Sequence, residues 1–282
     1  MGPYGEPVAS HYLSVAEPEG ALTAGFDQIR RELGVTEEFG SQAMADARAA
    51  AARPPHAPLD ATDLPLVTID PAGAMDLDQA VFIQRVGPGF RVHYAIADVP
   101  GFLGAGSALD QEVRERVMTL YSPDRKVPLH PPVLSEGAAS LLPGQKRPAL
   151  IWQIDLDSDG GLREATVRRA TVRSRAKLTY DEVQEQIDGG VADEGLSLLR
   201  DVGVLLQEQE RSRGGVSLPG AEQEIHTDGR SYTLVMRDPL PVEGWNAQVS
   251  LLTGRAAAQM MLDGGVGILR TMPEPSPGDV GR

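Results

Sequence analysis

The stretch 64-LPLVTIDPAGAMDLDQAVFIQR-85 determines how the rest of the chain is interpreted. In it, an apolar run ends at Asp70, a Pro-Ala-Gly turn follows, and Asp76 and Asp78 precede an alternating apolar segment. This order predicts a strand, a loop and a second strand, with the acidic side chains gathered at the strand ends. If Asp76 and Asp78 are extended, both side chains point to the same side, because side-chain directions alternate along a strand.

Three carboxylates in so short a stretch are typical of a metal site. Crowded carboxylates repel one another, and a hard divalent cation removes that repulsion. Oxygen ligands without nearby Cys or His favour Mg²⁺ or Mn²⁺ over zinc, and such a site suits phosphoryl chemistry. On spacing alone, Asp residues that close turns explain the pattern equally well. A calcium EF-hand is disfavoured, because Met75 and Val81 fall where the two available loop registers need glycine.

The composition is that of an acidic protein without cysteine. The chain has 282 residues, a net charge of -14 and 41% hydrophobic residues. The lack of Cys excludes disulfides and thiolate metal sites. The N-terminus, MGPYGEPVAS, shows no apolar leader, and no stretch is long and apolar enough to span a membrane. With the lack of Cys, these features predict a cytoplasmic protein without a membrane partner.

The distribution of charge gives a mixed indication about nucleic acid. The net negative charge argues against binding to phosphates, which draws on Lys and Arg. Positive charge is nevertheless concentrated between residues 163 and 177, and net charge describes the whole surface rather than one groove. The segment is interpreted either as a phosphate contact or as a solvated strand face. Its basic residues are Arg163, Arg168, Arg169, Arg173, Arg175 and Lys177.

Hydrophobic periodicity predicts an α+β fold in two parts. Residues 1–60 are predicted to form a small helical module, with helices over 21–33 and 36–52, followed by a Pro-rich linker. The module is interpreted as similar to a helix-turn-helix unit or as a plain helical extension. Residues 61–282 are predicted to form one domain of mixed and antiparallel β-sheets with packed helices.

Within the second part, three helical regions are predicted. They are a helix over 107–120 that begins at Ser107, two helices within 181–213 divided near Gly189, and a helix over 245–262. The strand of residues 90–99 is expected to turn His93 toward solvent. A turn is predicted at 228–229, and residues 273–282 are expected to be a disordered tail.

Longer segments carry a resemblance to a known family. The segments VTIDPAGAMDLDQAV, FRVHYAIADV, SALDQEVRERVMTLYSPDRKVPLHPPVLSEGAASLLPGQKRPAL and WNAQVSLLTGRAAAQMML, in this order, resemble the RNB domain of ribonuclease II and ribonuclease R-type exoribonucleases. The wording DLDQ is similar to that of a bacterial branch. The resemblance runs from about Leu64 to the end of the chain. It implies a Mg²⁺-dependent 3′→5′ exoribonuclease, with Mn²⁺ as the other candidate ion, that hydrolyses single-stranded RNA to 5′-nucleotides.

The resemblance also implies roles for individual residues. Asp70, Asp76 and Asp78 are expected to be catalytic and to hold the metal, with Gln79 as a further ligand. Asp98 is expected to support the loop by hydrogen bonding. The predicted RNA-binding residues are Tyr121, Arg125, Arg147 and Tyr180. Tyr121 is otherwise a ring that anchors its loop, and Arg125 is otherwise simply solvated.

Two departures from the family motivate a second hypothesis. Gln79 stands where the common pattern has a fourth acid, so it offers a carbonyl oxygen but no negative charge. An arginine-bearing segment expected near the end of the domain is not recognisable after Leu269, so the chain is predicted to be truncated at its C-terminal end. The alternative function is therefore a catalytically impaired RNA-binding fragment or regulatory module. A third hypothesis is an acidic domain unrelated to nucleic acid. The oligomeric state is not predicted.

Overall fold

A computed structural model describes residues 13–16, 20–215, 222–228 and 231–269, and these residues form sheets with helices packed against them. The strands are β1 Leu13–Ala16, β2 Leu59–Asp60, β3 Val67–Asp70, β4 Gln79–Val86, β5 Gly89–Ala97, β6 Leu120–Tyr121, β7 Lys126–Val127, β8 Lys146–Leu156, β9 Leu162–Arg173, β10 Ala176–Thr179, β11 Glu222–Thr227 and β12 Ser231–Arg237. The helices are α1 Ala21–Glu32, α2 Ser41–Ala51, α3 Val99–Phe102, α4 Ala108–Arg116, α5 Tyr180–Asp188, α6 Glu194–Ser212 and α7 Pro241–Gly264, and a π-helical turn spans Leu134–Ala138.

The main sheet has seven strands within the described ranges, in the order β10-β3-β4-β5-β8-β9-β2. Its centre is antiparallel, because β3 pairs with β4, β4 with β5, β5 with β8 and β8 with β9. The outer pairs, β10 with β3 and β2 with β9, are parallel. A three-stranded sheet, β1-β12-β11, and the short β6-β7 hairpin complete the described sheets. The predicted α+β class with mixed and antiparallel sheets is confirmed.

The two faces of the main sheet are buried by different parts of the chain. On one face, side chains such as Val92, Tyr94 and Ile154 pack against α5, α6 and α7 in one large cluster. On the other face, Ala95, Ile151 and their neighbours pack beneath residues 61–64 and the loop that follows β3. Because both faces are covered, the central strands are rigid supports for whatever their ends carry. None of the helices in the described ranges has the length and apolar character needed to cross a lipid bilayer.

The topology places the acidic loop at one end of the main sheet. Asp70 is the last residue of β3, and its register partner Thr179 is the last residue of β10. Gln79 begins β4, so residues 71–78 connect two strand ends at this edge. The predicted strand, loop and strand are confirmed, and the loop lies beside the start of α5.

Several predicted helix boundaries shift for identifiable reasons. The second helix begins at Ser41 rather than at 36, and Glu37 instead forms an ion pair with Arg125. Ser107 caps α4 as predicted, but the helix ends at Arg116 because Val117 adopts a left-handed φ of 65°. The division of residues 181–213 into two helices is confirmed. The final helix includes 245–262 but starts at Pro241, a residue favoured at the first helical position.

The prediction that His93 faces solvent is wrong. The side chain is 7% exposed, its ring stacks on Phe82, and it shares a hydrogen bond of 3.1 Å with Gln84. The alternation of the strand was correct, but residues 59–64 lie over this face of the sheet and bury the His93 side chain.

The N-terminal helices contact the remainder of the chain directly. Ala43 and Ala47 of α2 pack against Phe102, Leu109 and Leu134 in a separate small cluster. A domain boundary near residue 60 stays a prediction. Residue 229 of the predicted turn and the predicted tail at 273–282 lie outside the described residues.

Substitution by alanine at two helical glycines, Gly203 and Gly254, is expected to change stability in opposite directions. A methyl group added at Gly203 in α6 would lie 2.4 Å from Cβ and 2.8 Å from Cα of Trp245 in α7. Gly203→Ala is therefore expected to lower the free energy of unfolding by about 2 kcal/mol, since the two helices must separate. At Gly254 in α7 no heavy atom lies within 4 Å of the added methyl group. Gly254→Ala is therefore expected to raise the free energy of unfolding by about 0.5–1 kcal/mol, because alanine favours the helix more than glycine does.

Urea unfolding followed by circular dichroism measures both changes. The midpoint should fall for Gly203→Ala and rise for Gly254→Ala, with unchanged slopes. Equal midpoints for the two variants would show that α6 and α7 do not approach each other as described.

Candidate active site

The three predicted acids are electrostatic neighbours at the end of β3 and in the loop that follows. Loss of solvent, followed by the negative charges of Asp78 and Asp76, raises the pKa of Asp70 to about 6, and Lys177 opposes this rise. Asp78 is exposed, but the protein around it and the charge of Asp76 raise its pKa. Each carboxylate therefore experiences the charge of another, as the sequence spacing predicted.

Asp76 differs from the other two because a cation already contacts it. Partial burial acts to raise its pKa, but the hydrogen bond donated by Lys126 Nζ, at 3.0 Å, contributes to a net lowering. The same ammonium group lies 2.9 Å from Glu136 Oε1. Asp76 is thus ionised and paired with a cation. For Asp70 and Asp78, ionisation is less favourable than for a carboxyl group in water.

One oxygen in the cluster has no hydrogen-bond partner. Oδ2 of Asp70 is buried without a donor in contact, although buried polar atoms in proteins are nearly always satisfied. An unsatisfied carboxylate oxygen beside other carboxylates has the donor chemistry that Mg²⁺ and Mn²⁺ take in proteins. Across the described residues, no group of three or more His, Cys, Asp or Glu side chains is already arranged to hold a metal ion. The acids therefore fit such an ion chemically, but they are not preassembled around one point.

The backbone of the acidic loop is held by Ser140, a residue that the sequence analysis did not single out. Its hydroxyl accepts a hydrogen bond from the amide of Leu77 at 3.0 Å and donates one to the carbonyl of Met75 at 2.7 Å. The amide of Leu141 adds a bond of 2.9 Å to the carbonyl of Leu77. Ser140 is 1% exposed, so the loop is fixed from within the protein. No local sequence signal marks this contact, which joins residues 63 positions apart.

Gln79 uses its carbonyl oxygen within the protein. Oε1 accepts a hydrogen bond from the hydroxyl of Tyr94 and lies 3.3 Å from the hydroxyl of Ser250 in α7. These two hydroxyls are themselves 2.7 Å apart. Its predicted role as a metal ligand stays a prediction, and in this structure the side chain links the end of the sheet to α7.

The predicted RNA-binding residues fall into different surroundings. Tyr121 is 76% exposed and is the cross-strand partner of Lys126, whose ammonium group contacts Asp76. Tyr180 is the first residue of α5, directly after the register partner of Asp70, and its hydroxyl accepts a hydrogen bond of 3.4 Å from Asn246. Burial raises the Tyr180 pKa, the hydrogen bond from Asn246 opposes this rise, and the negative charge of Asp70 adds to it.

Arg125 is surrounded by carboxylates. Its nitrogens contact Asp27 at 2.6 Å, Glu37 at 2.7 Å and Asp124 at 2.8 Å. Asp124 also binds the buried guanidinium of Arg30 in α1, at 2.8 Å. This network joins α1 and the segment before α2 to the β6-β7 hairpin. An RNA phosphate would have to compete with these carboxylates for Arg125, whose predicted role stays a prediction.

Two further residues have structural contacts that support the site. Arg147 donates from Nε to the carbonyl of Ser140 at 2.9 Å, next to the hydroxyl that holds the acidic loop. Asp98 is 1% exposed and accepts hydrogen bonds from the amide of Gly101 at 3.2 Å and from Arg169 at 2.9 Å. Asp98 thus forms hydrogen bonds, but they join α3 and β9, and its expected support of the acidic loop stays a prediction.

Most contacts of the basic segment 163–177 are made within the protein. Arg163 pairs with Asp157, Arg169 with Asp98, and Arg175 donates to the carbonyl of Asp63. Lys177 donates to the carbonyl of Ala74 in the acidic loop. These contacts favour the interpretation of the segment as a structural strand with a partly solvated face.

Known proteins with similar sequences are ribonucleases and related proteins. Ribonuclease R of Mycoplasma pneumoniae is 33% identical over 187 residues, which are 63% of this chain and 26% of that protein. Two Arabidopsis thaliana proteins, DIS3-like exonuclease 2 and Inactive exonuclease DIS3L2, are each 42% identical over 139 residues, 48% of this chain and 13% of theirs. The chain spans about a quarter of the length of the first curated relatives it matches.

Solved structures show the same fold. Mycoplasma genitalium RNase R in complex with double-stranded RNA has a TM-score of 0.82 at 23% identity, covering 92% of this chain and 48% of that chain. The same protein in complex with ribose methylated single-stranded RNA also has a TM-score of 0.82, covering 92% of this chain and 42% of that chain. Residues 59–281 match the RNB domain family, and with the acidic loop, the sheet order and these similarities in agreement, the chain belongs to the RNB domain family.

Proposed function

We propose that this chain is the catalytic part of a Mg²⁺-dependent exoribonuclease that removes 5′-nucleotides from the 3′ end of single-stranded RNA. The observation that carries the proposal is the buried, unpartnered Oδ2 of Asp70 beside Asp76 and Asp78. Membership of the RNB domain family and relatives named ribonuclease R and exoribonuclease 2 support the reaction class. Mycoplasma genitalium RNase R, a relative of the same fold, is bound to RNA in solved structures.

In this proposal, Asp70, Asp76 and Asp78 hold Mg²⁺, or Mn²⁺ in its place. The bound ion would supply an activated water and neutralise charge on the phosphate at the scissile bond. The chain's own residues bind and orient the RNA around it. The exposed ring of Tyr121 offers a face on which a base can stack, whatever its sequence, and Tyr180 offers a second ring beside the end of β3. Ser140 keeps the acids in register by fixing the loop backbone.

A second candidate function is RNA binding without turnover. It is favoured by Gln79, whose carbonyl oxygen is already bound by Tyr94 and which brings no charge. Inactive exonuclease DIS3L2 matches this chain as well as its relative named an exonuclease does, so similarity alone does not separate the two functions. Incubation of labelled oligo(A) with Mg²⁺ or with EDTA separates them. Mononucleotides that appear only with Mg²⁺ support the exoribonuclease, and binding of RNA that stays intact supports the binding module.

The direction of hydrolysis is tested with the position of the label. A 3′-labelled oligonucleotide should release a labelled mononucleotide in the first turnover, whereas a 5′-labelled one should shorten progressively. Early release of a labelled mononucleotide from the 5′ end would overturn the proposed direction.

Asp78→Asn is predicted to remove hydrolysis and to leave RNA binding largely intact. The change deletes one negative charge from the proposed metal site but keeps the size of the side chain. The rate should fall by about 100-fold or more, the size of effect typical of losing one electrostatic contact to the reacting groups. Product formation measured by gel and RNA affinity measured by fluorescence anisotropy give the two readouts.

The matched control is Asp159→Asn, at an exposed aspartate in the turn between β8 and β9. It loses the same charge away from the acidic loop and should keep the wild-type rate. Turnover retained by Asp78→Asn would contradict the proposed metal site, and a loss shared by both variants would indicate a general effect of charge.

Asp70 makes a prediction about pH and stability. Its pKa rises from a usual 3.8 to about 6 in the folded protein, so the folded state binds this proton more tightly than the unfolded state does. The contribution of Asp70 to stability is therefore present at low pH and is lost as pH rises from about 4 to about 6. In EDTA at pH 7.5, Asp70→Asn should raise the free energy of unfolding by about 1–2 kcal/mol, allowing for partial exposure.

Urea unfolding at two pH values and with added Mg²⁺ checks this prediction. At pH 4 the variant and the wild type should be nearly equal, because the carboxyl is then protonated in the folded state. Mg²⁺ at pH 7.5 should stabilise the wild type and not Asp70→Asn. If Asp70→Asn is less stable than wild type in EDTA at pH 7.5, the charge of the Asp70 carboxylate does not destabilise the folded state.

A further inference from the structure

Lys126 occupies the position at the acidic loop where an external cation would be expected. It begins β7, and its ammonium group lies between Asp76 Oδ2, at 3.0 Å, and Glu136 Oε1, at 2.9 Å. The three side chains are 33%, 32% and 31% exposed, so solvent and small ions can reach them. Glu136 lies in the π-helical turn Leu134–Ala138, an irregularity often found at functional sites.

The other lysine near the acids is held differently. Lys177 affects Asp70 through its charge, but its ammonium group donates to the carbonyl of Ala74. Among the ion pairs of the described residues, Lys126 is the one cation that contacts any of the three predicted acidic ligands, and it contacts Asp76. A divalent cation that uses Asp76 Oδ2 must therefore compete with the Lys126 ammonium group for that oxygen.

We propose that Lys126 is an exchangeable counter-ion of the acidic loop, which neutralises Asp76 before metal binding and remains attached to Glu136 when Asp76 takes up the divalent cation. This inference rests on the proposed function, because it assumes that Asp76 is a metal ligand. Glu136 thereby acts as a positioning residue that keeps the released ammonium group beside the site.

The position of Lys126 on the β6-β7 hairpin suits its released ammonium group for contact with an RNA phosphate. Tyr121 is its cross-strand partner, so a nucleotide whose base stacks on Tyr121 would bring a phosphate to the hairpin that carries Lys126. An ammonium group freed from Asp76 can then contact that phosphate as a point charge. The exchange would couple metal binding to RNA binding, since both remove Lys126 from Asp76.

Mn²⁺ binding measured by calorimetry at pH 7.5 and low salt tests the exchange. Lys126→Met should bind Mn²⁺ about 3–10-fold more tightly than wild type, because the competitor for a partly exposed carboxylate is gone. Glu136→Gln should bind it more weakly by a similar factor, because Lys126 then has Asp76 as its remaining carboxylate partner. A simple change in net charge gives the same two signs, but only through long-range effects that salt screens. The measurement is therefore repeated at high salt, where the effects of an exchange at contact distance should persist and those of net charge should disappear.

Lys146→Met is the matched control, since Lys146 is exposed at the start of β8 and the substitution removes the same charge. It should leave Mn²⁺ affinity unchanged. NMR of labelled lysine side chains gives a direct readout, because the chain has only the lysines Lys126, Lys146 and Lys177. Addition of Mg²⁺ should shift the ammonium signal of Lys126 and leave that of Lys146 in place.

Three results would overturn the exchange. They are unchanged or weaker Mn²⁺ binding by Lys126→Met, equal tightening by Lys146→Met, and a Lys126 signal that Mg²⁺ does not move while the wild type binds the ion. Failure of the proposed function looks different, because the wild-type chain would then show no saturable Mn²⁺ binding, and Asp78→Asn would behave as the wild type does.

Discussion

Repulsion among Asp70, Asp76 and Asp78 is the interaction around which this end of the sheet is arranged. Half-burial removes much of the water that would otherwise separate these charges, and the pKa of Asp70 rises to about 6 as a result. One of its oxygens is left without a partner, which costs free energy in the folded state. The protein tolerates that cost because the strands carrying the acids are packed on both faces, so the local penalty is small beside the burial of the sheet.

The loop is held mainly through its backbone, and this leaves most carboxylate oxygens free. Ser140 binds the amide of Leu77 and the carbonyl of Met75, and Lys177 binds the carbonyl of Ala74. The exception is Asp76, which Lys126 contacts directly. A loop fixed by its own carboxylates would have to unfold before binding a cation. A loop fixed by its peptide groups can change its ligands while its shape stays constant, and this is what metal-assisted chemistry requires.

Local patterns in the sequence were sufficient to predict the cluster of acids, the strands that carry them and the break between α5 and α6. Each of these features depends on residues close together in the chain. Contacts between distant segments were not accessible in the same way. The burial of His93 depends on residues 59–64 crossing the sheet, and the pairing of Lys126 with Glu136 depends on the turn after β7. Ser140 carries no signal at all, since a serine before an apolar pair is common. The roles of Arg125 and Gln79 depend on the ion pairs and hydrogen bonds that these side chains already form. A single sequence does not show contacts of this kind.

Gln79 is the departure from a four-acid pattern, and its contacts explain why an amide is compatible with this position. A fourth carboxylate here would face Tyr94 and Ser250 and add to a repulsion that already leaves Asp70 strained. The amide instead accepts from Tyr94 and ties the start of β4 to α7 without adding charge. A divalent cation needs its ligands to be ionised and free, and Asp76 is ionised but occupied. For a metal ion held as proposed, release of Asp76 from Lys126 is therefore a requirement separate from the missing charge at Gln79.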